Sequence, residues 1–336
     1  MVFNKSKTVI LLLAIMCSGF SGCNAQTEYG VNLLRLEKKI SLPDVKGRID
    51  HLDVNLKDQI VYVAALGSNS LEAVDIQNGK IIHSIKGLHE PQGIGYIPQH
   101  EEIFVANGGS GDCYFYNAHT FEKTSTIQLS GDADDVRYDS LERKIYVGYG
   151  EGGIAIIDAD THKQIGDVKL PVHPESFQLD KKLNRIFVNL PDAHIVGVID
   201  LKQLKLTDKW ERNSLTANFP MSLDTIHHLV FVGYRHPARL VVLDGNTGKE
   251  LSITPMVGDS DDLYYDDHKA KVYVSGGDGY INIFQQQDFS TYKQIANIQT
   301  RSGARTSLFV PQLKVFVVAA RASGGAAALF VYKTAQ

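Results

Sequence analysis

Residues 131–150 read GDADDVRYDSLERKIYVGYG, and residues 258–277 read GDSDDLYYDDHKAKVYVSGG. Each is an acidic loop, a short strand, a polar turn and a second, apolar strand. Tyr146 and Tyr273 hold the same place in the two copies, 127 residues apart. A duplication at that distance means either two domains or a run of shorter repeats. The apolar half decides between them, because it recurs well beyond these two copies.

The runs are IVYVAA from Ile60, IFVANG from Ile103, IYVGYG from Ile145, IFVNLP from Ile186, VFVGYR from Val230, VYVSGG from Val272 and VFVVAA from Val315. Their aromatic residues, Tyr62, Phe104, Tyr146, Phe187, Phe231, Tyr273 and Phe316, step by 42, 42, 41, 44, 42 and 43 residues. A period in the low forties with several strands per unit is the signature of a β-propeller. Each unit reads as a short inner strand, an apolar second strand, a third strand and a polar outer strand. Turns such as DIQNG from Asp75 and DGNTGK from Asp244 carry Asp, Asn and Gly, which accept left-handed backbone or bond their own chain. The seventh unit stops after its third strand. The orphan strand over 33–42 supplies the missing one, so that both termini share a blade and no free edge is left. The expected fold is therefore all-β: one seven-bladed β-propeller over 32–333, four antiparallel strands per blade, closed by an N-terminal strand.

The 336 residues are 43% hydrophobic and 21% charged, an ordinary globular composition. A net charge of -4 gives no basic footprint for nucleic acid, which is not expected as a partner. Residues 1–25 read as a secretory signal: Lys5 and Lys7, an apolar run over 8–16, then small residues. That run is too short to span a bilayer, which takes about 20 residues. Phe20-Ser21-Gly22-Cys23 resembles a lipobox, in which Cys23 is lipidated, although Leu is usual where Phe20 stands. The alternative is cleavage after Ala25. Both place the mature chain in the periplasm or, as a lipoprotein, at the outer membrane or cell surface. Only Cys113 then remains beside Cys23, so no disulfide framework is expected, and Cys113 reads as a strand-packing residue.

The seven Ile/Val-Tyr/Phe-Val runs, followed by third strands ending Val74-Asp75, Ile157-Asp158, Ile199-Asp200 and Leu243-Asp244, resemble the YncE-like, YVTN-repeat seven-bladed propellers of exported bacterial proteins. The resemblance covers essentially the whole mature chain. It implies the fold and leaves the activity open, since related propellers include binding modules, lactonases and the propeller parts of redox enzymes.

No nucleotide-binding loop, catalytic-serine elbow, CxxC, CxxCH or HExxH is present. The informative residues open the inner strands, where propeller symmetry turns one residue of every blade toward a common axis. The aligned positions are Asp50, Gln92, Asp134, Glu175, Asn218 or Phe219, Asp261 and Arg305. The next are His51, Gly93, Asp135, Ser176, Pro220, Asp262 and Thr306. Asp50, Asp134, Asp135, Glu175, Asp261 and Asp262 put six carboxylates near one mouth, with His51, His89 and His173 on the same side and Arg305 as a nearby cation. Like charges that close repel and invite a cation. Oxygen donors suit Ca²⁺ or Mg²⁺, and an added His admits Zn²⁺. A metal is expected at Asp134, Glu175 and Asp261 if one binds. An Asp before an inner strand also serves simply to accept backbone N–H groups from a neighbouring blade. Residues 235–239, RHPAR, read as a surface loop whose two arginines could recognise an anion.

The expected function is an exported, lipid-anchored binding or scaffold protein, a monomer whose small-molecule, cation or protein ligand sits at the acidic channel mouth. One alternative is a metal-dependent hydrolase or lactonase with Asp134 or Glu175 as general base. Another is a structural surface protein acting through protein contacts.

Overall fold

The computed structural model describes residues 1–2 and 33–335; residues 3–25 of the expected leader, with Cys17 and Cys23, lie outside the described residues. Seven four-stranded antiparallel sheets form the blades of a propeller. Blade 3 is typical, with strands Val136–Asp139, Lys144–Tyr149, Gly153–Asp158 and Lys163–Lys169.

The apolar runs are the second strands of the blades. They are apolar on both faces because each lies between two neighbouring blades. Tyr62, Phe104, Tyr146, Phe187, Phe231, Tyr273 and Phe316 are all buried. The core is accordingly a series of clusters between blades; one joins Phe104 and Phe115 of blade 2 to Val136, Ile145 and Val147 of blade 3. Outer strands such as Lys163–Lys169 are mostly exposed, as the rim of a ring must be. Cys113 is buried and free in the strand Asp112–Asn117.

The N-terminal strand Leu34–Leu42 pairs antiparallel with Ala327–Thr334 and completes blade 7. Its Ile40 and Leu42 enter a cluster with Leu52 and Val63 of blade 1 and Val317 of blade 7. The chain passes from Leu42 to the inner strand Leu52–Asn55 across the face on which every outer strand leads to the next blade. Leu34 and its partner Thr334 therefore lie at the opposite face.

Residues 235–239 are not the surface loop expected. They form a tight hairpin between the strands Leu229–His236 and Ala238–Asp244. The second strand of blade 5 is thus longer than its counterparts and carries Arg235 onto the channel mouth.

Candidate functional site at the channel mouth

The inner strands do not enter the channel as plain ladders. In blade 1 the Asp50 N–H donates to the Ala64 carbonyl (2.8 Å), and the Ala64 N–H donates to the His51 carbonyl (3.0 Å). Leu52 is already paired with Val63. Two inner-strand residues therefore oppose one partner, which defines a β-bulge, a device that re-aims side chains. Blades 3 and 4 repeat it, with Asp134-Asp135 on Gly148 and Glu175-Ser176 on Asn189. In blades 2, 5 and 6 the ladder shifts at Gln92-Gly93, Phe219-Pro220 and Asp261. Blade 7 has none: Thr306, Ser307 and Leu308 pair in succession with Ala319, Val318 and Val317. Ser307, opposite Val318, consequently stands alone where the pair Asp50-His51 stands opposite Ala64 in blade 1, and Arg305 lies before the first ladder residue, Thr306.

The bulges surround a cavity of about 430 Å³ at the mouth. Asp50, His51, Gln92, Asp134, Asp135, Glu175, Asp261 and Arg305 all line it. Asn218 does not. It is fully buried and donates to Asn189 Oδ1 (3.0 Å) and to the Ile195 carbonyl (2.9 Å), while Phe219 takes the lining place. Asp262 faces the channel below the mouth, where its Oδ2 accepts the Ser307 N–H at 2.7 Å. Asp135 Oδ2 accepts the Phe177 N–H in the same way, at 3.1 Å. The second Asp of each Asp-Asp pair thus ties its blade to the next. His173 lines the mouth, and its Nδ1 lies 2.7 Å from the Gly150 carbonyl, to which that nitrogen must donate. His89 does not line the cavity.

Arginine neutralises much of the acid. Arg48 pairs with Asp50, and Arg137 with Asp135. Asp261 is held between Arg235 and Arg305, whose Nε lies 2.5 Å from Asp261 Oδ2. Arg305 also bonds Asp259 at 2.8 Å. The Arg235 guanidinium lies 3.6 Å from the centre of the Phe219 ring, a cation–π contact that fixes it over the mouth. Arg48 and Arg235 at the mouth, and Arg137 just below it, were not anticipated. They come from two residues before the bulge, two or three after it, and the end of a second strand, so no common spacing links them.

Three acids of the mouth have no arginine: Asp132, Asp134 and Glu175. His51 Nε2 lies 3.5 Å from Asp134 Oδ1 and 3.9 Å from Asp50 Oδ1. Burial disfavours the imidazolium, but the Asp134 contact and the Asp50 charge outweigh it and hold the His51 pKa well above its usual value. The Asp134 carboxyl is pushed up by its own burial and, more strongly in sum, held below its usual range by His51. Asp50 is raised to about 6, chiefly by burial. Glu175 makes no hydrogen bond or ion pair through its carboxyl among the described residues, and burial, then repulsion from Asp134 and Asp261, outweighs the opposing charge of Arg235 and pushes it up to about 9.

Ligand atoms of Asp50, His51 and Asp134 all lie within 4.8 Å of one another and could hold a metal ion. Of the expected metal trio, Asp134 belongs to this set. Glu175 and Asp261 stand outside it, and the Asp261 oxygens already face two arginines.

No family model and no curated protein sequence matches the chain. Solved structures do. A chain from the crystal structure of a mitotic checkpoint complex superposes with a TM-score of 0.77 at 13% identity, covering 99% of this chain and 100% of that one. The RRP9 WD40 repeats give 0.75 at 8% identity, covering 90% and 99%. Hydrazine synthase of Kuenenia stuttgartiensis gives 0.75 at 13% identity, covering 90% and 98%. Identities this low show a shared fold alone, the β-propeller.

Proposed function

We propose that the chain is a binding propeller that takes a cation at the channel mouth, with Asp50, His51 and Asp134 as the donors and Glu175 facing whatever the cation recruits. The observation that carries this reading is the unpaired Glu175 carboxyl beside Asp134, in a mouth whose arginines are already engaged. Asp132, Asp134 and Glu175 have no arginine, and a bound cation would supply positive charge beside them. A divalent ion there must displace the His51 proton, so affinity rises with pH. Export, lipidation at Cys23 and kinship with the YncE-like propellers belong to the same proposal; they rest on the leader sequence and the repeat runs.

Metal analysis of the purified chain, followed by thermal melts with Ca²⁺, Mg²⁺, Mn²⁺ and Zn²⁺, tests the reading. At least one ion should raise the melting temperature by about 5 °C near saturation, and Asp134→Ala should abolish the rise. No shift with any of the four ions would sink it.

A hydrolase reading is favoured by one observation, the raised Glu175 pKa next to the donor set. An ion there would stabilise the Glu175 carboxylate and leave it as a general base. In that case Glu175→Gln keeps the metal-induced shift and loses hydrolysis of a test lactone.

A further inference from the structure

Below the bulges the channel widens into a second cavity, of about 770 Å³, which opens on the face opposite the mouth. That volume lies in the range of pockets that enclose small molecules, roughly 300–1,000 Å³. The two cavities meet at His51, Asp135, Ser176 and Asp261, which line both. The outer rim of the second includes Leu56, Pro98 and Tyr138; its deeper wall carries Asp53, Arg137 and Asp262 between apolar side chains.

The charges of this wall do not balance. Arg137 is engaged: it pairs with Asp135, donates to the Val136 carbonyl (2.8 Å) and to Ser176 Oγ (3.2 Å), and covers the Phe177 ring. Asp53 and Asp262 have no cationic side chain within ion-pair distance among the described residues. Backbone groups orient them instead. Asp53 accepts the Tyr96 N–H (2.6 Å) and the Val54 N–H (2.8 Å), and Asp262 the Ser307 N–H.

Architecture alone does not ask for a charge at Asp53. Ser222 holds the same ladder position in blade 5 as Asp53 in blade 1, each opposite the central aromatic residue of the second strand. Ser222 Oγ accepts the Tyr265 N–H at 3.1 Å, the bond that Asp53 makes to Tyr96 one blade along. A neutral acceptor is therefore enough to join two blades. Burial raises Asp262 to about 7, against His51, the Ser307 N–H and the nearby Arg137. A positive group brought into the cavity would give both Asp53 and Asp262 the cationic partner that no described side chain supplies.

We propose that the second cavity binds a small organic cation, an ammonium group on an apolar body, entering head first from the face opposite the mouth. The ammonium meets the Asp262 or Asp53 carboxylate, and the apolar body lies along the inner strands toward Leu56 and Pro98. An anion would meet two carboxylates, while the cationic side chains of the lining are engaged, Arg137 with Asp135, Lys57 with Glu101 and His51 with Asp134.

Three probes with one ring and different heads test this by calorimetric titration of the full chain: phenethylammonium, 2-phenylethanol and phenylacetate. Phenethylammonium should bind saturably and the other two far more weakly. Asp53→Asn and Asp262→Asn keep an acceptor oxygen for the blade contact, and at least one should weaken binding about tenfold or more. Glu175→Gln should leave it unchanged, which separates this cavity from the mouth. Should the Asn variants fold poorly, Ser140→Trp at the exposed rim tests the same entrance without touching a carboxylate, and it should also weaken binding. Absence of phenethylammonium binding, equal binding of the alcohol or the acid, or a loss seen only in Glu175→Gln would overturn the proposal.

Discussion

Glu175 sits where burial and two neighbouring carboxylates all oppose its charge, and its pKa rises from 4.5 to about 9. Between those values the folded chain holds a proton that the unfolded chain has released. The folded state binds more protons, so stability falls as pH rises. The contribution is fully present below the unfolded value and is lost by about pH 9. Asp50 and Asp262, raised to about 6 and about 7, act in the same direction over the lower part of that window. The melting temperature should therefore decline from weakly acid to alkaline pH. Glu175→Gln, which has no proton to release, should make the decline above neutrality shallower, leaving the share of His51, whose pKa is also raised. A variant that keeps the wild-type slope there would take Glu175 out of the account. The place of Glu175 at the mouth was legible in the sequence, because equivalent residues of a ring converge on its axis. Its isolation was not. Arg48, Arg137 and Arg235 reach the neighbouring acids from unrelated ladder positions, and only three-dimensional packing brings them there.

The bulged inner strand is the element that makes the mouth, and it also explains why the repeat could be misaligned in one blade. Six blades carry the extra residue, so it is part of the period and leaves no mark in the spacing. Blade 7 lacks it, and only the ladder reveals that Ser307, two residues after Arg305, takes the place of the bulged pair. The residues that open the inner strands differ from blade to blade. At Gly93 the variation has a packing cause. A Cβ there would lie 1.8 Å from the Asp134 carbonyl oxygen and 2.5 Å from a Val136 methyl, so blade 3 leaves no room for any side chain. Gly93→Ala must push the Asp134 backbone outward, and overpacking of this kind costs about 1–3 kcal/mol. Urea unfolding should show the midpoint lowered accordingly, and any ion-induced shift should weaken because Asp134 moves. An unchanged midpoint would mean that blades 2 and 3 part without strain.

The whole ring depends on a contact between residues almost three hundred positions apart. The second strands specify seven blades because each must be apolar on both faces, which is why the fold was readable from the Ile/Val-aromatic-Val runs. Closure was readable only by subtraction, from one strand too few at the end and one too many at the start. Leu34–Leu42 fills that gap, with Leu34, Ile40 and Leu42 at 2%, 3% and 0% exposure. Ile40 and Leu42 belong to a cluster that spans blades 7 and 1, so removing the strand both bares the edge of Ala327–Thr334 and opens the core between first and last blades. Deleting residues 33–42 should replace one sharp calorimetric transition with a lower, broader one, or yield a chain that associates through the bared edge. Leu42→Ala is the milder probe, since truncating a buried Leu costs about 2–5 kcal/mol. It leaves the backbone pairing in place, so its melt should stay sharp and move down. Wild-type sharpness and temperature in both variants would show that the ring is held shut elsewhere.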